Sequence, residues 1–241
     1  MLRVLTFNIR AGHDLANRLD LGRTADVIAA ARPDVVGLQE VDRHFDPRSD
    51  HRDQTADLAE RLGWTGVFAP ALDLDPEPGH DQRRQYGDAI LTPHPMIDNA
   101  TYRLENLPSD DPDLEERSAV RAALEIGGRT VEVYVTHLDH VSAEQRAHQA
   151  QQVRDLVTGD GPVIVMGDLN AGPEEASVRT IAEGLEDAAA SLNGYLTYPS
   201  DVPELRLDHV FVRGLHPVDA AVLDVRASDH RPLLVDLAWP S

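Results

Sequence analysis

The sequence predicts an α+β layered domain spanning residues 1–241. Short runs rich in Val, Ile and Leu, bounded by turn residues, recur from end to end. Strand candidates outnumber helix candidates. The two do not alternate strictly, which argues against a doubly wound parallel sheet. No internal repeat, low-complexity tract or Pro/Gly/Ser-rich linker divides the chain.

In chain order, Leu2–Ile9 opens as a strand. Arg23–Ala31 reads as a helix that ends before Pro33, because proline disfavours the helical conformation in the residue before it. Val35–Val41 is the second strand. Gln54–Leu62 is a helix running into Gly63, a C-terminal cap. Ala89–Thr92, Val120–Ile126 and Val131–His137 are strands. Ala143–Val157 is the clearest helix, with Ser142 and Gln145 at capping-box spacing and Gly159 beyond its end. Val163–Gly167 is a strand, Glu174–Ala182 a helix after Pro173, and Leu207–Val212 and Leu233–Leu237 close the chain as strands.

Composition narrows the function. At 241 residues and 41% hydrophobic, the chain can bury a substantial core. No apolar run approaches the roughly 20 residues that span a bilayer. The N-terminal residues enter a strand pattern without the regions of a signal peptide, so a cytoplasmic location is expected. The absence of cysteine excludes disulfides and thiolate chemistry. Net charge is −20, and every one of the 22 basic residues is arginine. Nucleic-acid binders usually carry a basic face; here the pair Arg83-Arg84 is a local exception whose ordinary reading is a solvated loop. No sequence feature specifies an oligomeric state.

Strand phase points to a site. Alternate residues of a strand face the same side. Leu2, Val4 and Thr6 are followed in phase by Asn8; Val36 and Leu38 by Glu40; Val131, Val133 and Val135 by His137; Ile164 and Met166 by Asp168. Asp208 shares a face with Val210 and Val212. One polar group at the end of an apolar row is ordinary solvation. Five suggest convergence, because an unpartnered buried carboxylate costs several kcal/mol or shifts its pKa. Clustered carboxylates and carboxamides suit a hard cation such as Mg²⁺ or Mn²⁺. Histidines beside them suit acid–base or charge-stabilising roles.

Local motifs add detail. Gly167-Asp168-Leu169-Asn170 sets Asp and Asn two apart after a buried strand, where an Asx turn is the alternative reading. In Ser228-Asp229-His230-Arg231-Pro232 the adjacent Asp and His point to opposite faces of an extended chain. Asp229 is therefore free to reach a metal, and Asp208 is the candidate to fix the tautomer of His230. A turn before the last strand would also explain this motif.

In this order the motifs resemble those of the endonuclease/exonuclease/phosphatase superfamily, the DNase I-like fold. They are Thr6-Phe7-Asn8-Ile9-Arg10, Pro33 to Asp42, Tyr86-Gly87-Asp88-Ala89-Ile90-Leu91, Thr136-His137-Leu138, Gly167 to Asn170, Leu207 to Val212 and Ser228-Asp229-His230. The resemblance covers nearly the whole chain. It implies a four-layered α/β/β/α sandwich with the site at one end of two facing sheets. Glu40 is then similar to the principal metal ligand, with Asn8 and Asp229 beside it. Asp168 and Asn170 match the pair that positions or deprotonates the attacking water, His230 the histidine on the scissile phosphate, and Asp208 the carboxylate that orients it. His137 stands where phosphatase and sphingomyelinase relatives tend to carry His and abasic-site endonucleases Tyr.

The sequence departs from the pattern at Asp88 and Thr92, where relatives commonly carry Asn and Ser, and in the added pair Asp139-His140. Arg117, after the acidic stretch of residues 110–116, is a candidate phosphate contact; a surface arginine is the commoner reading. The implied function is a Mg²⁺- or Mn²⁺-dependent phosphoesterase acting on a small molecule, nucleotide or lipid headgroup. A DNA or RNA nuclease is the alternative, disfavoured by net charge and by an aromatic content of 5%. A non-catalytic binding module is a further alternative, against which stands the retention of Glu40, Asp168 and His230.

Overall fold

The computed structural model describes residues 1–111 and 114–240. Among them, twelve strands form two six-stranded sheets. One has the order β11-β12-β1-β2-β4-β3, built from β1 (Leu2–Asn8), β2 (Val35–Arg43), β3 (Thr65–Leu74), β4 (Arg84–Thr92), β11 (His216–Val222) and β12 (Leu233–Ala238). The other has the order β5-β6-β7-β8-β10-β9, built from β5 (Met96–Leu104), β6 (Arg117–Ile126), β7 (Arg129–His137), β8 (Val163–Asp168), β9 (Glu186–Asp187) and β10 (Asp208–Arg213).

At the middle of each sheet lies a parallel pair, β1 with β2 and β7 with β8. Each pair is connected through a helix, α1 (Leu21–Ala31) or α3 (Ala143–Leu156). Parallel strands require such a crossover. Helices α2 (Gln54–Leu62) and α4 (Ala176–Ile181) complete the outer layers.

Local chemistry fixes the helix ends. Asp20 caps α1 by accepting from the Arg23 amide, Asp53 caps α2 from Ala56, and Ser142 caps α3 from Gln145. The side chain of Gln145 does not complete a capping box; it bonds both the amide and the carbonyl of Leu107.

Three apolar layers hold the four-layered sandwich together. The middle one lies between the sheets and contains Leu2, Val4, Val133, Val135, Ile164, Met166 and Val210. Leu5, Phe7, Val36, Leu38, Ile28 and Leu58 seal α1 and α2 to the first sheet. Tyr134, Val165, Phe211, Ala150, Val153 and Val178 seal α3 and α4 to the second. Gly37 shows how tightly the sheets meet: a Cβ there would lie 2.5 Å from Val135 Cγ2 and 2.9 Å from Met166 Cε.

The sequence pattern anticipated eight strands. The four it missed, β3, β5, β9 and β11, are the four edges of the two sheets. A second correction concerns Glu40. Strict alternation groups it with Val36 and Leu38, which face the helices. The β2–β4 register shifts between Leu38 and Val41, and Glu40 has φ +56°. This bulge carries the Glu40 side chain over the sheet end to the cleft, while Gln39 takes the inward position in line with Gly37 and bonds Thr6 Oγ1 (3.3 Å).

Candidate active site

Strand ends from both sheets meet at one end of the sandwich. Asn8 ends β1, Glu40 sits in the bulge of β2, His137 ends β7, Asp168 ends β8, and Asp208 begins β10 directly opposite Asp168 in the ladder. Asp229 and His230 come from the segment before β12. Gly167 allows β7 and β8 to approach closely, since any Cβ there would strike the Thr136 carbonyl.

Asn8 joins the two sheets. Its Nδ2 donates to Glu40 Oε1 (2.9 Å) and to Asp168 Oδ2 (3.0 Å), and its Oδ1 accepts from the Arg10 amide (3.1 Å). Asn8, expected beside the metal, is placed between Glu40 and Asp168. Its oxygen accepts one backbone bond and keeps a second lone pair, while its Nδ2 holds two carboxylates together.

His230 lies between two carboxylates. Its Nδ1 donates to Asp208 Oδ2 at 2.8 Å, and its Nε2 is 3.4 Å from Asp168 Oδ2. Burial alone would lower its pKa, but the charges of Asp208 and Asp168 overcome this and hold it at about 10. The ring of Tyr198 covers the imidazole, with centroids 4.9 Å apart. Burial raises the carboxyls of Glu40 and Asp168 above their usual range despite the Asn8 bonds.

His137 behaves oppositely. Arg117 Nη1 donates to its Nδ1 (3.2 Å), and since guanidinium only donates, that nitrogen accepts and the ring is neutral. Burial, and then the Arg117 charge, push its pKa well below 6.5. The Asn170 side-chain amide lies 2.9 Å from His137 Nε2, and Asn170 Nδ2 donates to the Leu138 carbonyl (2.9 Å). The Asn170 amide donates to Asp168 Oδ1 (2.9 Å), closing an Asx turn.

Arg117 is not on the surface. It is 1% exposed and is held by Glu115 (3.0 Å), with its Nη2 donating to His140 Nδ1 (3.1 Å). Asp139 turns away from the cleft and accepts from the amides of Val141 and Ser142 before α3. Asp88 is buried beneath the site, accepting from Ser118 Oγ (2.9 Å), and burial raises its pKa to about 7.

Periodicity could not find the residues that line the cleft from outside regular strand phase. Arg10 borders an adjoining depression that shares Glu40 and Arg48, and it stands 3.6 Å from Asp229 just beyond β1. Phe45 and Arg48 follow β2, where the Arg48 guanidinium lies 4.4 Å from the Phe45 ring and is gripped by Asp42 (2.7 and 2.8 Å). Phe45 and Arg48, together with Leu72, Tyr86, Tyr198 and Leu205, wall a cleft of about 510 Å³ that opens onto Glu40, Asp168, Asp229 and His230. Arg83 and Arg84 lie elsewhere, paired with Asp73, Asp75 and Glu77.

The donor set fits a hard divalent cation. Glu40, Asp168, Asp208 and Asp229 converge, Glu40 and Asp168 are destabilised as anions, and among the described residues the buried Asp208 Oδ1 has no hydrogen-bond partner.

This fold and polar centre define a class, and comparison with known proteins agrees. Residues 5–230 match the Endonuclease/Exonuclease/phosphatase family, and the chain belongs to it. Over 254 aligned residues it is 27% identical to the uncharacterized protein YbhP of Escherichia coli K12, covering 98% of this chain and 95% of that one. It resembles the crystal structure of an endonuclease/exonuclease/phosphatase from Beutenbergia cavernae, with a TM-score of 0.83 and 26% identity over 100% of this chain and 72% of the other. The mannosyl-6-phosphatase Bt3783 of Bacteroides thetaiotaomicron shares the fold, with a TM-score of 0.77 and 21% identity over 99% of this chain and 100% of that one. No helix among the described residues is long and apolar enough to cross a membrane.

Proposed function

We propose that this protein is a divalent-metal-dependent phosphoesterase that hydrolyses a small phosphoester by attack of water. The observation that carries the reading is the buried junction in which Asn8 donates to both Glu40 and Asp168 while His230 stands between Asp168 and Asp208.

Glu40 and Asp229 would hold the cation, with Asn8 orienting Glu40. Bound there, Mg²⁺ or Mn²⁺ would offset charge on the phosphate and leaving oxygens. Asp168 orients the water and accepts its proton; burial strengthens it as a base. Asn170 fixes Asp168 through its amide. Protonated His230, held by Asp208, donates to a non-bridging oxygen, a role whose loss typically costs ~10²–10³ in rate. Neutral His137, fixed by Arg117, adds a contact to the phosphate.

The cleft volume suits a small ligand. Its two arginines are already matched by acids, Arg48 by Asp42 and Arg117 by Glu115, and Arg10 beside it is matched by Asp229. These pairings offset the positive charge at the cleft among the described residues, which supports the small phosphoester over the nuclease.

The test is hydrolysis of bis-p-nitrophenyl phosphate and p-nitrophenyl phosphate with Mg²⁺, Mn²⁺ or chelator, followed by sugar phosphates, nucleotides and lipid headgroups. Metal-dependent turnover that Glu40→Ala and His230→Ala each reduce at least a hundredfold is expected. No turnover on any of these, or wild-type rates in either variant, overturns the reading. Faster cleavage of plasmid or abasic oligonucleotide than of every small ester would favour the nuclease.

A further inference from the structure

Away from this centre, two segments bring a second group of ligating side chains together. His51 belongs to the connection between β2 and α2; Glu77 and His80 belong to the tip joining β3 to β4. One donor atom from each lies within 4.8 Å of the others. The two imidazoles stack with centroids 4.1 Å apart and planes at 28°, and His51 Nε2 is 3.9 Å from Glu77 Oε2.

The backbone holds these residues in position. The His80 amide donates to the Glu77 carbonyl (3.0 Å), closing a turn that sets both side chains at its ends. Pro76 and Pro78 flank Glu77 and restrict its surroundings. On the other segment, the His51 amide donates to Asp46 (3.2 Å), and His44 Nδ1 donates to the His51 carbonyl (2.8 Å). Among the described residues, neither the His51 nor the His80 ring has a hydrogen-bond partner, so nitrogen lone pairs remain available on both.

We propose that His51, Glu77 and His80 form a second metal site, selective for an imidazole-preferring ion of the Zn²⁺ or Co²⁺ class. Two imidazoles and one carboxylate, with water in the remaining position, are a donor set that Zn²⁺ accepts. Tetrahedral bonds of about 2.0–2.1 Å place ligand atoms about 3.3 Å apart. Rotation of these partly exposed side chains closes the group to that size. The oxygen-rich centre at Glu40 favours Mg²⁺ or Mn²⁺, so the two sites differ in chemistry.

An ion here would pin the β3–β4 tip to the segment that carries Phe45 and Arg48, two walls of the cleft. Its binding would therefore stiffen the cleft margin without touching the reacting groups.

The test uses tag-free, chelator-treated full-length protein titrated with Co²⁺, read by calorimetry and visible absorption. The double variant His51→Ala/His80→Ala is expected to bind one equivalent fewer than the parent, both in the wild-type background and in Glu40→Ala. The melting temperature should rise with micromolar Co²⁺ or Zn²⁺ in Glu40→Ala, and this rise should vanish when both histidines are removed. Equal stoichiometry with and without the two histidines, in either background, overturns the proposal.

Discussion

Replacing Gly37 with alanine adds one methyl group at a point where the two sheets meet closely. The new Cβ would sit 2.5 Å from Val135 Cγ2, 3.2 Å from its Cγ1 and 2.9 Å from Met166 Cε. Comfortable carbon contacts lie at about 3.8 Å, so the sheets must part by roughly 1 Å or Val135 must leave its rotamer. Overpacking of this kind costs about 1–3 kcal/mol. For a chain of this size that lowers Tm by roughly 2–10 °C. Gly37 lies three residues before Glu40, and Val135 and Met166 each lie two residues before His137 and Asp168. Displacement therefore reaches the Asn8–Asp168 bridge, and a shift near 1 Å at such a centre costs about a hundredfold in rate. Thermal unfolding and metal-dependent ester hydrolysis measure the two effects. Adding Val135→Ala removes two of the three offending carbons and leaves only the flexible end of Met166 to shift, so Gly37→Ala/Val135→Ala should recover part of the stability and turnover lost in Gly37→Ala. Wild-type behaviour of Gly37→Ala, or simple additivity in the double variant, would refute the reasoning.

Other expectations concern single groups. Asp208→Asn should lower kcat/KM by ~10²–10³, and adding His230→Ala should cost little more, because the two act as a unit; additive losses would separate them. Burial depresses the pKa of His209 from 6.5 to about 4, with Nε2 donating to the Ala171 carbonyl and Nδ1 unpartnered. The unfolded chain therefore binds the proton first. This stability, about 3 kcal/mol, is complete above pH 6.5 and lost as pH falls toward 4. Urea midpoints at pH 4.5 and 7.5 should differ less for His209→Gln than for wild type; an equal difference excludes His209 as the cause. Asp88 has the opposite sign: its folded pKa is raised from 3.8 to about 7, so stability falls as pH rises through that window. Asp88→Asn should be more stable at pH 8, by on the order of 4 kcal/mol, with the advantage vanishing near pH 4. A pH-independent difference would show that the Asp88 charge is not responsible.

Four of the five strand-end residues were legible because alternation continues unbroken to the last residue. Asn8, His137, Asp168 and Asp208 follow rows that face the layer between the sheets. Glu40 reaches the cleft by a different geometry, a bulge with a left-handed residue and not alternation. Such a conformation leaves no trace in hydrophobic period. The missed strands were edges, and edges are polar and tolerant of proline: Asp98, Asn99 and Thr101 in β5, Pro70 in β3, Pro217 in β11. Arg117 was read as a surface residue because its burial rests on His137, His140 and Glu115, contacts that no local pattern encodes. Phe45, Arg48 and Tyr198 lie in segments without a regular period, where hydrophobic alternation carries no signal.

The cleft has two kinds of parts. Its ionisable centre stands mainly on strand termini anchored in the apolar layers, while Phe45, Arg48, Tyr198 and Leu205 stand on connecting segments outside the central ladders. Chemistry and recognition can therefore change independently. Under the proposed function, exchanging the connections around residues 44–53 and 196–207 would redirect which ester is accepted while leaving the charge arrangement intact. The converse exchange, within the central strands, would abolish turnover on every ester alike. A scaffold divided in this way can serve many substrates with one reaction, and its preference should be sought in the connections and not in the polar centre.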